Sequence, residues 1–155
     1  MRRLFVILAG LLILALVVLQ FFRPEENAGV RDTSSDVMNS SHIPDTVAMI
    51  LQASCYDCHS NNTIYPWYGK ISPVSWYMHN HIREGREHLN FSEWTDYSKP
   101  EKIGKLDDLC EEVTSGSMPL RSYLLLHGDA RLSAEQVIAI CDWTESESMQ
   151  ILRGE

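Results

Sequence analysis

Cys55-Tyr56-Asp57-Cys58-His59 combines two thiols three positions apart with an imidazole in the next position. Two sulfurs at that spacing reach the two vinyl groups along one edge of a porphyrin, and the following histidine comes to lie beneath the iron. The predicted chemistry is covalent attachment of one c-type haem through Cys55 and Cys58, with His59 as proximal iron ligand. A zinc half-site, a thioredoxin-like redox pair or a structural disulfide would use the same residue types. Each lacks a companion here: Cys110 and Cys141 are not a second close pair, and no strand-turn-helix pattern surrounds the motif.

The sixth iron ligand separates an electron carrier from an oxygen- or peroxide-active protein. Met118, followed by Pro119 in a predicted loop, is the first candidate, because a thioether raises the reduction potential. A methionine that merely fills a core gap is the bland reading. His79 and His81 are two apart and face different sides of a helix. His81 shares an apolar stripe, so it is either the alternative ligand to Met118 or a core histidine with a hydrogen-bond partner. His42, His79 and His88 read as solvent-exposed, and His127 as a haem propionate contact or a turn cap. No catalytic residue is assigned: the reading is of a carrier rather than an enzyme, its rival a peroxidase-like enzyme or gas/redox sensor with an open distal site.

These residues need helices to position them, and the periodicity is mostly helical. A first helix is predicted over residues 44–54, with Val47, Ile50 and Leu51 on one face. Ser72-Pro73 reads as an N-cap and N1 proline opening a helix to about Arg86, with Val74, Tyr77, Met78, His81 and Ile82 as its buried stripe. Ser98-Lys99-Pro100-Glu101 is a capping box for a helix carrying Ile103, Leu106, Leu109, Cys110 and Val113 until Gly116 stops it. Ser133-Ala134-Glu135-Gln136 opens the last helix, which carries Val137, Ile140, Cys141 and Thr144 with Trp143 beside them. Residues 121–127 are expected to add a short helix. The aromatics from Tyr65 to Trp94, including Trp67, Trp76, Tyr77 and Phe91, are expected to wall the haem pocket. Cys110 and Cys141 lie on predicted helices, and a disulfide or two buried thiols are both open.

The 155 residues carry 13 Lys and Arg against 21 Asp and Glu, a net charge of −8, which excludes a basic nucleic-acid binder. Residues 4–22 contain no charge and span roughly 28 Å as a helix, close to the thickness of a bilayer core. The run lacks a small-residue cleavage pattern, so it reads as a retained anchor. Arg2 and Arg3 precede it, which keeps that end in the cytoplasm and sends the rest to the periplasm or outside. The predicted organisation is a membrane anchor over 1–23, a flexible linker over 24–41 and a haem c-binding domain over 42–155, all-α in class. The acidic domain would favour a basic surface on its redox partner, whose identity the residues do not give.

Three features fall in the order found in class I c-type cytochromes: a helix running into residues 55–59, the Met118-Pro119 loop, and a C-terminal helix with Trp143. The domain resembles them. Tyr65-Pro66-Trp67-Tyr68, Pro73-Val74-Ser75-Trp76, the segment from Gly85 to Trp94 and Met118-Pro119 look more narrowly like the bacterial haem-binding domain family. The resemblance covers about residues 43–145. It implies covalent haem c in a cytochrome c-like helical domain, with His59 proximal and Met118 distal. It also implies a proline carbonyl accepting from the proximal imidazole, for which Pro66 and Pro73 are the candidates. The segment from Asn61 to Trp94 is longer than in minimal cytochromes, so a histidine within it could displace Met118.

Overall fold

In the computed structural model, which describes residues 1–26 and 34–154, every regular element among the described residues is helical. The longest helices start where the sequence places capping chemistry. The Glu101 carboxylate accepts from the backbone N–H and hydroxyl of Ser98 at 2.8 and 2.6 Å, opening α6 (Lys99–Thr114). Ser133 and Gln136 exchange backbone-to-side-chain bonds of 2.8 and 3.2 Å at the start of α8 (Ala134–Arg153). The remaining elements are α1 (Arg2–Leu19), α2 (Val37–Ser40), α3 (Asp45–Ser54), α4 (Tyr56–His59), α5 (Val74–His88) and α7 (Arg121–Leu124). Short 3-10 turns occur at Trp67–Lys70, Phe91–Asp96 and Gly128–Ala130.

Leu51 from α3, Leu106 from α6, Ile140 and Trp143 from α8, and Phe91 and Trp94 from the turn after α5 form the centre of the core. α6 and α8 lie side by side, and the Cys110–Cys141 disulfide joins them at a Cα separation of 5.0 Å. The bond that spacing left open is therefore formed, because helix packing brings the two positions together.

Three expectations differ from the structure. Residues 27–33 of the expected linker lie outside the described residues, but Asp36 and Val37, also assigned to it, are buried. Val37 joins the core, and Asp36 caps α2 by accepting from the Met38 backbone N–H at 3.0 Å. A polar stretch needs only one apolar anchor and one cap to be held, so packing begins upstream of His42. Pro73, not Ser72, is the N-cap of α5. Ser72 is buried, with its hydroxyl on Ser75 at 3.0 Å and its backbone N–H given to Gln20. Of the predicted stripe on α5, Ile82 is buried while Val74 and Tyr77 are exposed, because the stripe lines a cleft instead of the core.

α1 is the one described helix long and apolar enough to cross a membrane, and none of its residues is buried. A signal sequence near the N-terminus would meet the same criterion of length and apolarity.

Closing a loop of this length restricts the unfolded chain by roughly 3 to 4 kcal/mol. Replacing both Cys110 and Cys141 by Ser is expected to lower the unfolding free energy by about that amount. A urea titration with an unchanged midpoint would show that the cross-link carries no stability.

Candidate functional site

The site starts where α3 stops. Cys55 is its C-cap at φ −124° and ψ −38°, and its N–H still reaches the Leu51 carbonyl at 2.9 Å. The chain then turns once more as α4, whose ring of bonds is closed by the N–H groups of Cys58 and His59 donating to the Cys55 carbonyl at 3.1 and 2.9 Å. Tertiary contacts hold this single turn. Tyr56 donates its hydroxyl to Asp36 Oδ1 at 2.6 Å and stacks on Phe91. Asp57 accepts from the Tyr123 hydroxyl at 3.0 Å and from the Ile64 N–H at 3.1 Å.

His59 Nδ1 lies 3.0 Å from the Leu89 carbonyl. A carbonyl only accepts, so Nδ1 carries the proton and Nε2 keeps its lone pair. Burial pushes the imidazole below its usual pKa, outweighing the carbonyls of Leu89 and Gly85, and so keeps it neutral. That is the tautomer a metal-ligating histidine needs. The acceptor is Leu89 rather than Pro66 or Pro73, because the last turn of α5 unwinds there and turns its carbonyl inward. Burial also raises the two thiols, Cys55 to about 12 with help from Cys58, and Cys58 to about 11 with help from Asp57 against the pull of Arg86. Both are free thiols in the structure.

A cavity of about 580 Å³ opens against this turn, within the roughly 300 to 1,000 Å³ range of cofactor pockets. Cys55, Cys58, His59, Met118 and His81 all line it. Gly116, at φ +72°, ends α6 in a left-handed turn, and the N–H groups of Ser117 and Met118 return to the Glu112 carbonyl at 3.0 and 3.1 Å. That reversal carries Met118 and Pro119 to the cavity wall. His81 gives its Nδ1 proton to the Tyr77 carbonyl at 2.9 Å, which leaves its Nε2 without that commitment. His88 is exposed at the rim, His42 is exposed, and His79 is half-buried rather than exposed. His127 lies outside the cavity, stacked on Tyr123 and bonded to its carbonyl at 3.2 Å, which is the turn-capping role.

The aromatic wall is the main correction. Of the aromatics between Tyr65 and Trp94, only Phe91 lines this cavity; Tyr68 and Tyr77 line a smaller neighbouring cleft, and Trp67 is 76 % exposed. Tyr123, which carried no such expectation, lines both. Gly104 stands inside a helix with open space beside it, so position within a helix does not by itself single out Gly85. A Cβ at Gly85 would sit 3.1 Å from the Cys58 carbonyl oxygen and 3.4 Å from His59 Cε1.

Helical fold and cavity together describe a small haem-binding protein: the imidazole is fixed with Nε2 available, two thiols flank it, and the space suits a large flat group. The chain belongs to the haem-binding domain family, whose model matches residues 14–146. No curated protein and no solved structure matches it significantly.

Gly85→Ala separates helix propensity from this packing. Propensity alone would stabilise by about 1 kcal/mol, whereas overpacking against backbone costs roughly 1 to 3 kcal/mol. Lower stability with reduced haem loading is expected, read by thermal unfolding and the haem-to-protein absorbance ratio. A stabilised, fully loaded variant would show that Gly85 does not constrain the turn.

Proposed function

We propose that this chain is a membrane-anchored monohaem c-type cytochrome that passes single electrons between protein partners at the outer face of the cytoplasmic membrane. The observation that carries the reading is the gathering of Cys55, Cys58, His59 and Met118 around one cavity, with His59 Nε2 left free by the Leu89 carbonyl. Haem bound there supplies an iron that alternates between ferric and ferrous states. Cys55 and Cys58 would hold it covalently: each S–H adds across one vinyl double bond, sulfur joining one carbon and hydrogen the other, with nothing lost. Burial keeps both groups as thiols until then. His59 would be the proximal ligand, oriented by Leu89. Met118 would be the distal ligand, and its thioether favours the reduced state. α1, with Arg2 and Arg3 at its start, fits a retained anchor that leaves the domain outside the cytoplasm. Confinement to one membrane surface raises the encounter rate with redox proteins in the same plane.

A second reading rests on His81, which lines the same cavity with its Nδ1 proton committed to Tyr77. It would make His81 the distal ligand, or an acid-base group beside an open iron in a peroxidase-like enzyme or sensor. The spectrum of the reduced protein under carbon monoxide separates the two. Methionine ligation predicts a low-spin spectrum that carbon monoxide leaves unchanged, and a Met118→Ala variant that binds it and has a lower reduction potential. Immediate binding by the parent protein would favour the open-site reading. An unchanged Met118→Ala spectrum together with an altered His81→Ala spectrum would move the ligand to His81.

A further inference from the structure

Two of the aromatics that do not reach the haem cavity, Trp67 and Trp76, are exposed on the stretch of chain that meets the end of α1. Gln20 pairs its side-chain amide with the Ser72 backbone in both directions, Nε2 donating to the carbonyl and Oε1 accepting from the N–H, each at 3.0 Å. Arg23 Nη1 donates to the Lys70 carbonyl at 2.8 Å, and Trp76 Nε1 donates to the Phe22 carbonyl at 2.7 Å. Lys70 and Glu26 form an ion pair at 3.4 Å. The chain leaving the apolar helix is thus bonded to the segment that runs from the Trp67–Lys70 turn into α5. Phe21, Phe22, Trp67, Ile71 and Trp76 remain exposed around this junction, Phe21 at 83 % and Trp67 at 76 %.

A contiguous exposed apolar patch of this kind marks a contact with a membrane or with another protein. Where an apolar helix gives way to Arg23, the surrounding medium changes from hydrocarbon to headgroups, and that depth favours tryptophan, whose ring is apolar and whose N–H is polar. Arg and Lys extend from the same depth toward water. We infer that the surface formed by Phe21, Phe22, Trp67, Ile71 and Trp76 lies in the headgroup boundary of the bilayer that α1 crosses, so that the domain is seated on the membrane in one orientation instead of hanging from a loose tether. The inference rests on the proposed anchor role of α1. Arg23 and Lys70 stand beside Glu25 and Glu26, so the junction is close to neutral and requires no anionic lipid, in contrast to the −8 of the whole chain.

The seating also orients the haem cavity. α5 starts at the junction, and the cavity takes its residues from His81 to His88, between about 10 and 21 Å farther along the helix at 1.5 Å per residue. The cavity is thereby held off the junction by a rigid helix.

The test uses the full-length haem-loaded protein in phosphatidylcholine vesicles containing a phospholipid with a photoactivatable diazirine just below its headgroup. After illumination, peptide mass spectrometry locates the insertions. Labelling is expected in α1 and in the peptide holding Trp67, Ile71 and Trp76, and not on the exposed Ile138 and Met149 of α8. Trp67→Glu, which removes no hydrogen bond of the junction, is expected to reduce labelling of that peptide several-fold while α1 stays labelled. Labelling confined to α1 would overturn the seating and leave the anchor intact, the aromatic face then awaiting a protein partner. Failure of the protein to float with the vesicles would overturn the anchor and the seating with it.

Discussion

A four-residue helix in water does not hold itself, because one turn fixes several backbone angles in return for very few hydrogen bonds. α4 is such a helix: Cys55 caps its start, and Cys58 and His59, the second thiol and the imidazole on which the site depends, lie within it. Its shape is imposed from outside. Asp36 holds Tyr56, Tyr123 holds Asp57, Gly85 allows the Cys58 carbonyl to approach, and Leu89 holds His59. These four partners come from three separate stretches of chain, Gly85 and Leu89 both belonging to the end of α5, so the core that assembles those stretches is also what sets the geometry of the turn.

The electrostatics of the turn follow from the same enclosure. Burial disfavours charge on each buried group, raising the thiols and lowering the imidazole, so that all three are neutral. A neutral imidazole with its Nδ1 proton committed suits iron ligation. The Asp57 carboxylate is matched locally by the Tyr123 hydroxyl and the Ile64 N–H. Asp36 is matched in the same way, receiving Tyr56 and Ser92 hydroxyls and the Met38 N–H.

Much of this was legible because it depends on residue type at fixed spacing. The capping boxes at Ser98 and Ser133, the stop at Gly116 and the apolar faces of α3, α6 and α8 are local patterns, and each is present in the structure. Residues 55–59, Met118 and His81 stood out for the same reason, and Cys55, Cys58, His59, Met118 and His81 line one cavity. What was not legible depends on distant backbone. The Leu89 carbonyl has no side-chain signature, and nothing about proline required the acceptor to be Pro66 or Pro73. The buried Asp36 and Val37 sit inside a polar stretch whose average hides one anchor and one cap. The aromatics between Tyr65 and Trp94 share composition but divide in space: Phe91 faces the cavity, Trp94 joins the core, and Trp67 and Trp76 are exposed, Trp76 bonded to the Phe22 carbonyl.

The central claim is that the turn from Cys55 to His59 holds one haem covalently. The most direct measurement is the mass of the intact chain under denaturing conditions after expression with haem-attachment machinery, followed by identification of the peptide that carries the group. The account predicts a mass increased by one haem, lost only when both Cys55 and Cys58 are replaced, with the modification on the peptide containing them. A chain of unmodified mass, with all the haem released on denaturation, would contradict it.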